Sequence, residues 1–167
     1  MKAYLRKIDT ETTGNRNDVT PVFLDPELFS QLVEDLSEPF QNKQIDYVGC
    51  IDALGFILGT AVARHLDVGV IPIRKGGKLP VETIGRDFQD YSGKTKRLEI
   101  RKDLLLNQSR VLLVDEWIET GAQIEAAISL IEAQGGTIAG IATINMDVCD
   151  RTQAIRKKYQ VHTVWED

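Results

Sequence analysis

Arg110-Val111-Leu112-Leu113-Val114-Asp115-Glu116-Trp117-Ile118-Glu119-Thr120-Gly121-Ala122-Gln123 is the stretch on which the reading of the fold turns. Val111 to Val114 is a continuous apolar run of the kind found in strands buried on both faces, which belong at the centre of parallel sheets covered by helices. From about Ala122 to Ala133 the apolar residues Ile124, Ala127, Ile128 and Ile131 fall on one helical face, and Gly135-Gly136 supplies the stop. The stretch therefore predicts a central strand, two carboxylates leaving it, a tight Thr120-Gly121 turn and a helix N-terminus.

Working outward, Ile45 to Ile51 reads as a strand, Gly55 to Leu66 as a helix carrying Phe56, Ile57, Leu58, Ala61, Val62 and Ala63, and Val68 to Ile73 as a second strand. Strand, helix and strand in this order form a βαβ unit with a right-handed crossover, so the sheet is expected to be mainly parallel. An earlier helix starts after Asp25, with Pro26 in its first turn and Leu28, Phe29, Leu32, Val33 and Leu36 as its core stripe. Thr10 to Asn17 is a polar loop containing Gly14. Arg74 to Gly93, punctuated by Gly76, Gly77, Pro80, Gly85 and Gly93, reads as a long functional loop, followed by a strand at Thr95 to Arg101. A strand at Thr137 to Asn145, a helix near Arg151 to Lys158 and a strand at Val161 to Trp165 complete an alternating order. The expected fold is α/β, a mainly parallel twisted sheet flanked by helices, in one domain spanning 1–167.

Composition bounds the partners. A formal charge of -5 over 167 residues argues against wholesale binding of a nucleic-acid backbone. A local basic cluster runs from Arg74, Lys75 and Lys78 through Arg86, Lys94, Lys96 and Arg97 to Arg101 and Lys102. It suits either a small polyanion or plain solvation. Cys50 and Cys149 lack metal-site or disulfide spacing and read as buried thiols in a reducing compartment. The first residues lack the apolar segment of a signal peptide, and no apolar run reaches about 18 residues. A cytoplasmic protein with no membrane contact is expected.

In open parallel sheets, ligands bind beyond the carboxyl ends of the strands. At that end of the central strand, amides opening a helix can cradle a phosphate while Asp115 and Glu116 accept hydrogen bonds from vicinal hydroxyls. Phosphate plus diol describes ribose 5-phosphate. The same residues equally fit an acidic strand end followed by a capped helix.

The run from Val111 to Gly121 resembles the signature of type I phosphoribosyltransferases. Gly55-Phe56-Ile57-Leu58-Gly59, the stretch from Val70 to Pro80, Thr20-Pro21 and Asp25-Pro26 are similar to adenine phosphoribosyltransferases, in the right order from Asp18 to Gln134. The resemblance implies a Rossmann-like fold with a flexible loop or hairpin at 74–101, and a short N-terminal segment, 1–24, on the base-binding side. It implies transfer of ribosyl phosphate from phosphoribosyl pyrophosphate to a purine base, with Mg2+ and a closing loop that excludes water. Homodimers are expected from the family, as is binding of base and nucleotide.

By position, the resemblance assigns the ribose to Asp115 and Glu116, and the 5-phosphate to Glu119, Thr120, Gly121, Ala122 and Gln123. Pyrophosphate falls to Asp52, Ala53, Leu54, Arg74 and Lys78, with a non-proline cis peptide expected at Asp52-Ala53. The base falls to Arg16, Asn17 and Val19, and Asp90, before Tyr91, is the candidate acid or base.

Departures from the family pattern cluster at these positions. Arg16 stands where an aromatic residue usually stacks on the base, and its guanidinium can itself stack on a purine. Leu54 replaces the arginine expected at pyrophosphate, and Gln123 replaces a hydroxyl residue. Glu119 replaces a small residue; a carboxylate at about 4 Å from a phosphate charge costs about 4 kcal/mol at an effective dielectric of 20. Changed specificity or a non-catalytic nucleotide sensor on the same fold is the alternative reading, and another α/β phosphate enzyme such as a hydrolase a third. His65 and His162 read as structural, and Trp117 as a packing or contact residue that could also cover the sugar.

Overall fold

In the computed structural model, which describes residues 1–13, 16–90, 92–104 and 108–165, short 3-10 helices at Ala3–Lys7 and Glu38–Phe40 accompany five α-helices and seven strands. They are α1 (Thr20–Phe23), α2 (Pro26–Ser37), β1 (Tyr47–Ile51), α3 (Leu54–Leu66), β2 (Gly69–Lys75), β3 (Thr83–Gln89), β4 (Thr95–Arg101), β5 (Arg110–Ile118), α4 (Ala122–Ala133), β6 (Thr137–Met146), α5 (Asp150–Lys158) and β7 (Val161–Thr163). Residues 14–15 of the polar loop and Tyr91 beside Asp90 lie outside the described residues.

The seven strands form one sheet in the order β3-β4-β2-β1-β5-β6-β7. β2, β1, β5, β6 and β7 are parallel, and the β3–β4 hairpin joins them antiparallel through Arg74 and Lys75. The α/β expectation and the mainly parallel sheet hold.

Period-two alternation along β5 explains why every residue of its apolar run is buried. Leu112 and Val114 join one cluster, with Val48, Leu58 of α3 and Leu32 of α2. Val111 and Leu113 join the other, with Ile51, Ile73 and Ile128 of α4. The helices therefore cover both faces, as a parallel sheet requires. Close packing forces small residues where backbones meet: a Cβ on Gly59 of α3 would lie 2.3 Å from Cys50 Sγ.

Local signals place the helix ends. Asp25 Oδ1 accepts from the amides of Glu27 and Leu28, both at 3.1 Å, and caps α2 ahead of Pro26. After α4, Gly135 adopts a φ of 80° and the Gly136 amide returns to the Ile131 carbonyl at 3.1 Å. At the other end of the chain, the Tyr4 hydroxyl donates to Asp35 Oδ2 at 2.6 Å and pins the leading segment to α2.

Two expectations need correction. The stretch from Arg74 to Gly93 is not one long loop: it contains β3, paired along its whole length with β4. Only Ile84 and Phe88 of β3 pack on the core, so its apolar alternation is too sparse to register as a strand. Cys149 is not buried with Cys50 but half-exposed at the start of α5, where Thr152 lowers its thiol pKa first by a side-chain hydrogen bond. Burial instead pushes the Cys50 thiol up to about 12.

Removing the centre of this packing should be expensive. Leu112→Ala, at a fully buried position on β5, is expected to lower the unfolding free energy by about 2–5 kcal/mol in urea titrations.

Candidate functional site

The strand order reverses between β1 and β5: β1 leads outward to β2, and β5 leads the opposite way to β6. That reversal opens a crevice at the carboxyl ends of the two strands. β1 pairs with β5 as far as Val114, but β6 continues to pair with Asp115, Trp117 and Ile118. Asp115 and Glu116 therefore lie within the strand, not after it as expected. Hydrogen-bonding partners on β6 extend the strand past the end of its apolar run.

Asp115 is 3% exposed. Its Oδ1 accepts from the Glu116 amide at 3.0 Å, and its Oδ2 from Gln123 Nε2 at 3.1 Å. Gln123 belongs to the first turn of α4, so the acidic pair and the helix opening touch. Glu116 Oε2 is buried with no hydrogen-bond partner among the described residues. Gly55, at the start of α3, lies against this pair; a Cβ there would come within 2.9 Å of Asp115 Oδ1.

Between strand and helix the chain turns at Gly121, whose φ of 77° is left-handed and suits glycine. The Ala122 amide reaches back to Thr120 Oγ1 at 3.4 Å, and the amides opening α4 have no partner inside the helix. From behind, Cys149 Sγ lies 3.7 Å and Arg151 Nη1 3.5 Å from the Thr120 carbonyl. Local spacing marks α5 but carries no sign that its N-terminus supports this turn.

Trp117 donates through Nε1 to Asp147 Oδ1 at 2.9 Å and packs edge-to-face on Trp165, centroids 5.7 Å apart. It lines a cleft with Asp115, Thr120, Gln123 and, from the hairpin, Phe88 and Asp90. Asp90 Oδ1 accepts from the Ser92 hydroxyl at 2.6 Å and from the amides of Ser92 and Lys94, while Lys96 Nζ is 3.5 Å from Oδ2. The Ser92 hydroxyl does most to hold this carboxyl below the usual range.

On the other side of the crevice the Asp52-Ala53 peptide is cis, as expected. Arg74 Nε and Lys75 Nζ lie 3.9 and 3.7 Å from the Asp52 carboxylate, and Arg74 Nη1 donates to the Lys78 carbonyl at 3.0 Å. Lys75 was not singled out for this turn; its place in the last pair of β2 and β4 is what brings it there. Leu54 packs against the core.

The base-side residues divide. Arg16 lines the cleft and forms a side-on ion pair with Glu119, Nε to Oε1 2.6 Å and Nη2 to Oε2 3.2 Å. Asn17 is half-buried. Val19 is 2% exposed in the core, so its side chain is closed to a ligand and only its main chain is on offer. His65 meets Gln41, and His162 Nε2 sits 2.9 Å from the Asp35 carbonyl, both away from the cleft.

Comparison with known proteins is consistent across sequence and structure. The phosphoribosyl transferase domain family matches residues 26–165. An adenine phosphoribosyltransferase of Dinoroseobacter shibae is 46% identical over 75% of this chain and 69% of its own length. One of Koribacter versatilis is 39% identical over 98% of this chain and 91% of its own. The crystal structure of adenine phosphoribosyltransferase from Rhodothermus marinus superposes with a TM-score of 0.85 at 37% identity, covering 96% of this chain and 94% of that one.

Electrostatics sets the acidic pair apart. Burial raises the Asp115 carboxyl well above the ordinary aspartate range, and the Glu116 charge adds to the effect. A carboxyl with a raised folded pKa takes up a proton on folding, so its effect on stability is unfavourable once pH exceeds that pKa. Between the unfolded value of about 3.9 and the raised value, stability falls as pH rises. Asn can keep both hydrogen bonds of Asp115, because the Gln123 amide can turn its oxygen to the new NH2. Asp115→Asn is therefore expected to raise Tm at pH 8 by about 2–4 °C. The gain should shrink toward pH 4 in thermal melts.

Proposed function

The chain belongs to the phosphoribosyltransferase family, and on that footing we propose that it transfers the 5-phosphoribosyl group of phosphoribosyl pyrophosphate to a purine base. Adenine is the proposed acceptor, giving AMP and pyrophosphate, a purine-salvage reaction. The observation that carries this reading is the 3.1 Å contact between Gln123, in the first turn of α4, and Asp115. It sets the acidic pair, which in this reading takes the sugar, beside the helix N-terminus that would take the phosphate. The adenine phosphoribosyltransferases among the relatives support the choice of base.

In this reading the amides of Thr120 to Gln123 hold the 5-phosphate, and Asp115 and Glu116 accept the ribose hydroxyls. The partnerless Glu116 Oε2 is a ready acceptor. The pyrophosphate faces the Asp52-Ala53 turn, where Arg74, Lys75 and Lys78 supply the positive charge that Leu54 does not. As the bond from the anomeric carbon to the pyrophosphate oxygen breaks, the sugar gains cationic character and the base nitrogen bonds to the same carbon.

The nitrogen's proton must leave as that bond forms. Asp90, whose hydrogen bonds favour its ionised form, takes this proton as the base and does not donate one. Phe88 and Asp90, which line the cleft from the hairpin, would keep water from the cationic carbon.

Among the described residues no group of three or more His, Cys, Asp or Glu side chains could hold a metal alone. The buried, partnerless Glu116 Oε2 fits a magnesium ion brought in with the substrate, which Glu116 and Asp115 would help to hold. Bound in this way, the ion would neutralise the leaving pyrophosphate. We assign the protein to the cytoplasm, in keeping with two free thiols and with no helix among the described residues that could cross a membrane. A homodimer is the proposed assembly; Ile57 of α3 and Val70 of β2 are exposed apolar residues that a second copy would cover.

Purified protein with phosphoribosyl pyrophosphate, magnesium and adenine should release pyrophosphate and form AMP. Tight binding of phosphoribosyl pyrophosphate with no turnover on any base would identify a sensor instead. Asp115→Asn with Glu116→Gln should abolish binding of ribose 5-phosphate in calorimetry, and unchanged affinity would remove the site assignment. Asp90→Asn should lower kcat by about 10² to 10⁴ while leaving KM for phosphoribosyl pyrophosphate within a few-fold.

A further inference from the structure

Glu119 places a carboxylate directly before the Thr120-Gly121 turn, where it would repel the anion that the opening of α4 attracts. The structure answers it with a cation from far away in the chain. Arg16, 103 residues earlier, meets Glu119 through two parallel contacts, Nε to Oε1 and Nη2 to Oε2. This fork geometry is available to arginine and not to lysine. The Glu119 side chain is 22% exposed, so water alone solvates it poorly.

Described residues flanking Arg16 are themselves held in place. Asp9 and Asp18 exchange two backbone hydrogen bonds of 2.9 Å, and Thr12 Oγ1 donates to the Arg16 carbonyl at 2.6 Å. Asp18 Oδ1 accepts from the Thr20 amide at 2.9 Å at the start of α1. Arg151, the other arginine at this turn, is committed to Glu125 Oε2 at 3.1 Å.

We propose that Arg16 is a positioning residue of the phosphate site: its guanidinium neutralises Glu119 so that the 5-phosphate can enter, and ties the N-terminal segment to the phosphate turn. This rests on the ribose-phosphate reading of that turn. The position that would otherwise stack on the base is spent on charge compensation. The two departures, Arg16 and Glu119, thus belong together as one device.

A double-mutant cycle read by calorimetry with ribose 5-phosphate tests this, with thermal melts to check that each variant is folded. Arg16→Ala should weaken binding by about tenfold or more, because it bares a carboxylate beside the phosphate. Glu119→Ala should bind about two- to threefold tighter than the unaltered protein, and the double variant should match or exceed the unaltered protein. Arg16→Lys should recover only part of the loss. Undiminished affinity in Arg16→Ala, or a loss that persists in the double variant, would overturn the inference. So would a defect in Arg16→Ala confined to KM for the base, which a stacking role would produce. Failure of the unaltered protein to bind ribose 5-phosphate would instead remove the site itself, and this inference with it.

Discussion

A strand buried on both faces has no room for polar side chains until it reaches the sheet's edge, and there its chemistry must be concentrated. β5 is that strand. Its four apolar residues serve two cores alternately, and its hydrogen bonding to β6 carries Asp115 and Glu116 to the end of the sheet still in extended conformation. Because β1 stops pairing at Val114, one flank of this end is open and Gly55 can approach Asp115. The left-handed turn at Gly121 then brings the next helix back beside the acids. The acidic pair and the opening of α4 become neighbours as a consequence of how one strand ends.

The site is strained electrostatically, not apolar. Three carboxylates, Asp115, Glu116 and Glu119, gather beside the opening of α4, and burial together with the Glu116 charge raises the Asp115 pKa. The chain offsets this with contacts from distant segments: Gln123 holds Asp115, and Arg16 holds Glu119. Stability given up at a binding site in this way is common where function demands polar groups at buried positions.

The hairpin shows how a charge cluster in sequence can dissolve in three dimensions. Three members of the basic run from Arg74 to Lys102 meet acids of the same region: Arg97 pairs with Asp87 and Glu99, Lys102 with Glu82, Lys96 with Asp90. Arg74 and Lys75 instead reach the Asp52 turn across the crevice. Part of the cluster is therefore a self-neutralising hairpin surface, while the cations proposed to meet pyrophosphate lie at the end of β2 and just beyond it, at Lys78.

Periodicity and punctuation in the chain determined the alternating α/β order, the central position of the 110–114 strand, the limits of α4 and the juxtaposition of acids with a helix opening, because each depends on neighbours within a few residues. The resemblance carried by those residues pointed to the family and to the cis peptide at Asp52-Ala53. Tertiary structure alone decided that β5 runs through Glu116, since its extra partners lie on β6, and that Thr83–Gln89 is a strand, since β4 defines it. It also decided that Val19 is core, that Lys75 joins the Asp52 turn, and that Glu119 is answered by Arg16. Each of these depends on groups brought together from distant parts of the chain, and pairings of that kind leave no mark on local spacing.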